Sequence, residues 1–244
     1  MTNTPSNQAT SEPAHKYLYS YDVEGPSAPA RVARIVGKNK EVLEIGAGPG
    51  ALTSVLYEVG KHRVTALEID PTAIEIVQKY CVDVIQADLN SESWPDVFNG
   101  KLFDAVIAAD VLEHVNNPAQ VLKGMVRLLN KDGAVVVSVP NVSHAAIGSL
   151  ILDSNFRYGD WGLLDRTHIR FFGMKDIKKL LDAADLVAVH VEFVVKHPEE
   201  TEFADIWQKI PPRSKNALLE HQHSMIYQFV VKAVPRTRAN IKAV

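Results

Sequence analysis

Three glycines at alternate positions, Gly46, Gly48 and Gly50, stand between an apolar segment and an amphipathic one. Glycine permits a tight turn and lets a ligand approach the main chain closely. The first amides of a following helix are unpaired and lie at the positive end of its dipole. The spacing therefore predicts a ligand-binding loop that includes Ala47. Related glycine loops bind dinucleotides, so the loop alone leaves the ligand open.

Two carboxylates stand at the predicted ends of the next two strands. Glu68 closes the second strand, where a carboxylate can accept hydrogen bonds from both hydroxyls of a ribose. Asp88 follows the third strand, in a position suited to an adenine amino group. Asp70 is interpreted as a helix cap, because Pro71 follows it directly. A single carboxylate at such a place is commonly a solvated loop residue, but the pair behind a glycine loop favours a nucleoside ligand.

Histidine is the side chain best suited to proton transfer near neutral pH, and three histidines follow the fourth and fifth predicted strands. We interpret His114 as a helix-start residue bonded to the backbone. For His144, which follows the fifth strand, a catalytic and a structural role are equally supported. His168 lies in an irregular aromatic and charged segment, where we expect a base or a substrate ligand. His168 and His144 are therefore the catalytic candidates.

Three further residues are candidates for binding a substrate: Tyr21, Trp161 and Arg170. The tyrosine belongs to an aromatic segment that would either cover a ligand or pack on the domain edge. The arginine would bind an acidic group, or else pair only with Asp160 or Asp165. No metal site is predicted, because the closely spaced histidines near residue 222 have no supporting acidic cluster.

The chain pattern predicts the scaffold that positions these residues. Strands and helices alternate from residue 41 to residue 140, and the strands are almost continuously apolar, which is typical of a buried parallel sheet. Strands at 187–195 and 225–234 follow without a clean crossover helix. We predict an α/β fold with a doubly wound, mostly parallel seven-stranded sheet and an antiparallel edge strand.

The same pattern divides the chain. We expect one domain over residues 16–234 between a disordered tail at 1–15 and a second tail at 235–244. Within the domain, the half from about 38 to 140 would bind the cofactor. The segments 141–172 and 196–224 would form the lid and the substrate pocket.

Composition excludes several classes of protein. The 244 residues include 26 basic and 29 acidic side chains, a formal charge of −3, so a nucleic-acid partner is disfavoured. The single cysteine, Cys81, excludes an internal disulfide. No apolar run is long enough for a membrane span, so we expect no stable membrane insertion and a cytoplasmic location.

Four motifs occur in the order EIGAGPG, ALEID, QADL and FDAVIAADVLEHV. In this order and spacing they resemble class I S-adenosylmethionine-dependent methyltransferases. The resemblance covers roughly residues 42–234. The DVLEHV run and the later DRTHIRFF run resemble small-molecule O-methyltransferases of the quinone, sugar and natural-product type.

The resemblance implies a role for each matching residue. The glycine loop would wrap the methionine part of S-adenosylmethionine, and Glu44 would hold the loop or meet the cofactor's amino group through water. Glu68 would bind the ribose, Ile69 would pack on the adenine, and Asp88 and the Leu89 amide would bind its polar edge. Ala109 and Asp110 would lie beside the sulfonium. These roles complete the set of cofactor contacts: Glu44, Gly46, Ala47, Gly48, Gly50, Glu68, Ile69, Asp88, Leu89, Ala109 and Asp110.

We predict direct in-line methyl transfer to a hydroxyl of a small molecule, with a histidine base and S-adenosylhomocysteine as product. N- or C-methylation of a small molecule is the nearest alternative. A nicotinamide-dependent oxidoreductase would need a second βαβ half after the fifth strand, and a non-catalytic cofactor-binding protein would share the same motifs. A homodimer is compatible with the sequence.

Overall fold

The computed structural model describes Tyr17 and residues 19–239. The disordered tail predicted over residues 1–15 lies outside the described residues, as does the end of the predicted C-terminal tail, 240–244. The described part of that tail begins at the last residue of the final strand and continues as a short 3-10 turn.

Seven strands form one sheet in the order β3-β2-β1-β4-β5-β7-β6. Their bounds are β1 Glu41–Ile45, β2 Arg63–Glu68, β3 Asp83–Gln86, β4 Phe103–Ala109, β5 Leu129–Pro140, β6 Leu186–Val195 and β7 Ile226–Pro235. The first five strands pair in parallel, whereas β7 runs antiparallel to both β5 and β6. The predicted fold class is therefore confirmed, including the antiparallel edge of the sheet.

The helices that cover the sheet begin at the capping residues that the sequence provides. The Ser27 hydroxyl accepts a hydrogen bond from the Ala30 amide, and Asp70 and Asn117 cap their helices in the same way, each directly before a proline. The helices are α1 Ala28–Val36, α2 Ala51–Glu58, α3 Pro71–Val77, α4 Pro118–Arg127, α5 Ala145–Leu152, α6 Met174–Ala183, α7 Ala204–Lys209 and α8 Pro212–Leu219.

Two local features differ from the sequence interpretation. Helix α5 lies in the stretch 141–172 that the pattern predicts as irregular, and the His144 ring caps it by accepting a hydrogen bond from the Ala146 amide. Residues 131–133 have the sequence Lys-Asp-Gly, which is typical of a turn, yet they lie inside β5, where the pairing with β4 shifts register. In that shift Phe103 pairs with Leu129 and Ala105 with Ala134, so residues 130–133 form an irregular bulge without partners on β4.

Parallel pairing brings the carboxyl ends of the first five strands to the same edge of the sheet. Strand β1 lies between β2 and β4, so the chain leaves β1 toward one side of the sheet and β4 toward the other. A crevice opens at the carboxyl ends of the strands where the order reverses in this way. The glycine loop after β1 and the segment after β4 lie on the two sides of this crevice.

The hydrophobic core lies on both faces of the sheet, as expected for strands buried on two sides. On one face, Trp94 is 1% exposed and packs against Phe98 edge to face. Among the helices of residues 19–239, none combines the length and apolar character that crossing a membrane requires.

We predict that Gly124→Ala destabilises the protein. A Cβ on Gly124 would lie 2.5 Å from Trp94 Cζ2, and the buried indole has little room to move. We expect a loss of roughly 1–3 kcal/mol in the free energy of unfolding, because this overlap exceeds the roughly 1 kcal/mol that alanine gains over glycine within a helix.

Urea denaturation measures this change. Lys123→Ala, at the exposed neighbouring position of α4, is the control, and it should stay within about 0.5 kcal/mol of the wild type. A Gly124→Ala variant as stable as the control would contradict the predicted overlap with Trp94.

Candidate active site

A cavity of about 610 Å³ opens at the carboxyl ends of β1, β2 and β4. Its walls come from the loops after these strands and from two more distant segments, around residues 161–168 and 227–228. Tyr17 and Tyr19, which precede α1, also line it. The cavity therefore lies at the crevice that the sheet topology defines.

The glycine loop forms one wall, and its conformation requires glycine. Gly46, Gly48 and Gly50 have φ values of 64°, 53° and 93°, all in the left-handed region that residues other than glycine rarely adopt. A Cβ on Gly46 would also lie 2.8 Å from the side chain of Val111. Ala47 completes this wall and is itself buried.

Glu68 connects the glycine loop to the end of β2. One carboxylate oxygen accepts a hydrogen bond from the Gly48 amide at 2.7 Å. The other accepts from the amides of Ile69 at 2.8 Å and Asp70 at 3.0 Å. The carboxylate borders the cavity while three main-chain donors fix its orientation, so it is held rigidly for a ligand.

Glu44 lies behind the loop, 3% exposed, and its carboxylate accepts a hydrogen bond from the Thr53 hydroxyl at 2.7 Å. Burial, the largest cause, and the negative charge of Glu68 together raise the pKa of this carboxyl to about 8, against the opposing effect of the Thr53 hydrogen bond. A cationic ligand group nearby would favour the ionised form.

The residues predicted to contact an adenine lie together at one end of the cavity. Ile69, Asp88 and Leu89 all border it. The side chain of Ile69 is 56% exposed, an apolar surface available for a ring to cover. One oxygen of Asp88 accepts from the main-chain and side-chain nitrogens of Asn90, which fixes the carboxylate.

Asp110 directly follows Ala109 at the end of β4, and both residues border the cavity. The backbone of Asp110 is left-handed, with φ 54°. Its two carboxylate oxygens accept hydrogen bonds from the Ser138 hydroxyl at 2.7 Å and from the Gln228 amide at 2.9 Å. Burial raises the pKa of Asp110, and the two hydrogen bonds oppose that effect. The strained backbone is thus fixed by strands β5 and β7.

A second group of polar side chains borders the cavity, in the turn after β4 and in the later segment around residue 168. The ring centroids of His114 and His168 are 4.8 Å apart, and Glu113 Oε1 lies 4.0 Å from His168 Nε2. Glu113 is 1% exposed, and burial raises the pKa of its carboxyl well above the usual range. The main-chain oxygen of Glu113 accepts from the amides of Ile169 and Arg170, which joins the two segments.

Sequence reasoning missed Glu113. The signal available was its place beside His114 in a short turn directly after β4, where ligands are expected. Its burial could not be predicted, because the neighbouring DRTHIRFF segment lies more than 50 residues away in the chain.

His144 lies away from this group and is not part of the cavity wall. It is 1% exposed, its Nδ1 accepts from the Ala146 amide, and its Nε2 lies 3.0 Å from the Lys196 carbonyl oxygen. Burial lowers its pKa. These contacts match the structural interpretation of this histidine, as the cap of α5.

The residues predicted to bind a substrate do not lie together at the cavity. Trp161 borders the cavity and is 61% exposed. Tyr21 is half-buried against the core beside the cavity, which Tyr17 and Tyr19 border instead.

Arg170 also lies outside the cavity wall. Its guanidinium donates to the main-chain oxygens of Asn116 and Ile169. The two acids considered as its partners have other contacts: Asp160 pairs with Arg166 at 2.8 Å, and Asp165 accepts hydrogen bonds from the amide and hydroxyl of Thr167.

Among the residues that the structure describes, one group has the spacing to hold a metal ion. Ligand atoms of Glu113, His114 and His168 all lie within 4.8 Å of one another. Within residues 19–239, the histidines near residue 222 do not belong to this group.

Comparison with known proteins agrees with this arrangement. A family model described as a methyltransferase domain matches residues 22–191. A ubiquinone biosynthesis O-methyltransferase from Xanthomonas campestris pv. campestris is 25% identical over 149 residues, which cover 56% of this chain and 62% of that protein. The aligned region thus spans less than two thirds of this relative.

Solved structures share the fold at low sequence identity. An S-adenosylmethionine-dependent methyltransferase from Mesorhizobium loti has a TM-score of 0.58 at 17% identity, covering 87% of this chain and 99% of its own. Magnesium protoporphyrin IX methyltransferase from Synechocystis PCC 6803, with bound S-adenosylhomocysteine, has a TM-score of 0.56 at 16% identity, covering 85% and 83%.

The fold, the crevice and its glycine loop define a class I S-adenosylmethionine-dependent methyltransferase. The chain belongs to the methyltransferase-domain family, whose model matches more than half of its length. The prediction of S-adenosylmethionine as cofactor is therefore confirmed. The alternative of a nicotinamide-dependent oxidoreductase is wrong, because β7 runs antiparallel where a second βαβ half was required.

We predict that Glu44→Gln flattens the dependence of stability on pH. The carboxyl titrates near pH 4.5 in the unfolded chain and near pH 8 in the folded protein, so folding favours the protonated form. The resulting stabilisation is complete below pH 4.5 and is lost as the pH rises through 8. In this range the group contributes a slope of about 1.4 kcal/mol per pH unit at most.

Urea denaturation of the ligand-free protein at several pH values between 5 and 8 measures the slope. Glu58→Gln, at an exposed position of α2, is the matched control and should keep the wild-type slope. Equal slopes for Glu44→Gln and the wild type would show that Glu44 is already ionised in the folded protein.

Proposed function

We propose that this protein transfers the methyl group of S-adenosylmethionine to a hydroxyl of a small molecule. The observation that carries the proposal is the continuous cavity between two different sets of side chains. One set is the glycine loop with Glu68 and Asp88, and the other is the group of Glu113, His114 and His168. The first set suits a nucleoside and the second suits a reacting hydroxyl.

The cofactor would lie along the first set. Glu68 would bind the ribose, with its orientation already fixed by the loop amides, and Asp88 and the Leu89 amide would bind the adenine edge beside Ile69. The ammonium group would lie on the side of Glu44. Ala109 and Asp110 would then flank the sulfonium, which directs the methyl group toward the two histidines.

The acceptor would enter between Trp161 and the N-terminal tyrosines, which supply apolar surface at the cavity mouth. Methyl transfer needs the acceptor oxygen in line with the methyl carbon and the sulfur, and it needs water to be kept away. The proposal puts the acceptor beside His168, which borders the cavity. The name of the Xanthomonas campestris relative, an O-methyltransferase, supports a hydroxyl as the acceptor.

His168 would be the histidine base. Its Nδ1 lies 3.2 Å from the main-chain oxygen of Leu163, so the tautomer with the proton on Nδ1 leaves a lone pair on Nε2. That lone pair can accept the proton of the hydroxyl as the oxygen bonds to the methyl carbon and the carbon–sulfur bond breaks. His144 is left out of this role because its ring caps a helix. A homodimer and a cytoplasmic location stay predictions.

We predict that Glu68→Ala weakens the binding of S-adenosylhomocysteine more than tenfold. The change removes both the ribose contact and the acceptor of the Gly48 amide. This corresponds to at least about 1.4 kcal/mol of binding free energy. Calorimetric titration measures it.

Asp70→Ala is the control, since it removes the other acid at the end of β2 but leaves Glu68 in place. It should weaken binding less than threefold while it lowers stability by about 1 kcal/mol through the lost cap. The opposite order of the two affinities would assign the ribose to Asp70.

We predict that His168→Ala lowers turnover at least about 100-fold, the range expected for loss of a general base. Its affinity for S-adenosylhomocysteine should stay near that of the wild type, because the adenosine contacts lie across the cavity. Turnover is measured by product formation with an acceptor found by screening hydroxylated compounds.

His221→Ala, at an exposed position before β7, should retain full turnover. Wild-type turnover in His168→Ala would remove this residue from the reaction. Loss of both turnover and cofactor binding would show that the residue has a structural role instead.

A further inference from the structure

We propose that Glu202 is a positioning residue that fixes the orientation of His168 through the main chain of Leu163. The proposal rests on the proposed function, because it concerns the histidine assigned there as the base. Glu202 is half-buried in the segment 196–224, which the sequence predicts as part of the lid and the substrate pocket. Its side chain lies outside the cavity wall, so it acts through hydrogen bonds rather than by contact with a ligand.

The carboxylate of Glu202 joins two parts of the protein that line the cavity. Its Oε1 accepts a hydrogen bond from the Leu163 amide at 2.6 Å, and its Oε2 accepts one from the Tyr227 hydroxyl at 3.0 Å. Tyr227 borders the cavity at the start of β7, and Leu163 directly follows Trp161 and Gly162, which also border it. Burial and then the negative charge of Glu202 raise the pKa of Tyr227, so the hydroxyl keeps its proton and remains a donor.

Leu163 connects this carboxylate to His168. The main-chain oxygen of Leu163 lies 3.2 Å from His168 Nδ1, and the amide of the same residue is the one that Glu202 binds. A hydrogen bond at one ring nitrogen sets the tautomer and the orientation of an imidazole. Loss of the Glu202 carboxylate would therefore release Leu163, and with it the main-chain oxygen that orients the ring.

Gly162 shows that the carboxylate and the cavity wall fit closely against each other. Its φ is 89°, and a Cβ at this position would lie 2.0 Å from Glu202 Oε1. The carboxylate thus occupies the space that any larger residue would need, and only glycine combines this backbone conformation with so close an approach. The path of the wall between Trp161 and Leu163 therefore depends on where Glu202 lies.

Methyl transfer is sensitive to such positioning. The acceptor oxygen must be in line with the methyl carbon and the sulfur, and a displacement of about 1 Å in the reacting groups can cost roughly 100-fold in rate. The cofactor contacts have their own supports, such as the bond from the Gly48 amide to Glu68. We therefore expect Glu202 to affect the rate of the reaction and to leave the binding of the cofactor almost unchanged.

The first experiment separates kcat from cofactor binding. Glu202→Ala should lower kcat at least about tenfold, with KM for S-adenosylmethionine and Kd for S-adenosylhomocysteine within about twofold of the wild type. Glu202→Gln keeps an oxygen that can accept from the Leu163 amide, so kcat should return to within about threefold of the wild type. Kinetics use the same hydroxylated acceptor as the His168→Ala experiment.

A second experiment tests whether Glu202 acts through His168. Both residues are proposed to act on one ring, so Glu202→Ala should lower kcat no further in a protein that already carries His168→Ala. A third measurement needs no activity. Nuclear magnetic resonance follows hydrogen exchange of the Leu163 amide, which should become at least about tenfold faster in Glu202→Ala because its acceptor is gone.

Asp205→Ala is the matched control. Asp205 pairs with Arg157 at 2.8 Å on the surface, so the change breaks another link from the segment 196–224 to the segment before Leu163. It should leave kcat and the exchange of the Leu163 amide unchanged, because exposed ion pairs contribute little. Titration with S-adenosylhomocysteine reports whether each variant is folded. Glu202→Asp, which is one methylene too short for the Leu163 amide, replaces Glu202→Ala if that variant fails this check.

The outcomes separate this inference from the proposed function. Wild-type kcat or wild-type exchange of the Leu163 amide in Glu202→Ala would overturn the inference. An equal loss in Glu202→Gln, or a full further loss in the His168→Ala protein, would also overturn it. Wild-type turnover in His168→Ala would instead contradict the proposed function, while faster exchange in Glu202→Ala would still support the positioning of Leu163 by Glu202.

Discussion

The carboxylate of Glu68 accepts three main-chain hydrogen bonds, from Gly48, Ile69 and Asp70, and this one group holds the cofactor side of the cavity together. It links the loop after β1 to the end of β2, and the loop can take its left-handed turns only because glycines occupy them. The parallel pairing of β1 and β2 brings the two strand ends to the same edge, so the contact depends on the sheet register.

Local signals in the sequence predicted most of this half of the molecule. Cap-and-proline pairs such as Asp70 with Pro71 mark helix starts, and continuous apolar runs mark buried parallel strands. Each of these signals involves only a few neighbouring residues, and the helices and strands that they predict are the ones that pack together in the sheet. Residues proposed to contact the cofactor, among them Glu68 and Asp88, border a cavity at the crevice that the strand order defines.

The acceptor side could not be predicted to the same degree, because its contacts join distant segments. Glu113 faces His168 only after the chain between them has folded, and its burial has no local signature. For His144 the sequence supported a catalytic and a structural role equally, and in the structure its ring caps α5 and contacts the main-chain oxygen of the distant Lys196. Sequence position locates the edge of the sheet, whereas packing decides which side chains face the cavity.

The main-chain oxygen of Glu113 accepts hydrogen bonds from the amides of both Ile169 and Arg170, and these bonds limit where the sequence can gain or lose residues. The turn after β4 and the DRTHIRFF segment are hydrogen-bonded to each other, so a change in the position of one would require a change in the other. The stretch between α5 and Leu163 is tethered at both ends and largely exposed between them. Insertions and deletions there would remodel the cavity border around Trp161 without breaking the contact between Glu113 and residues 169–170.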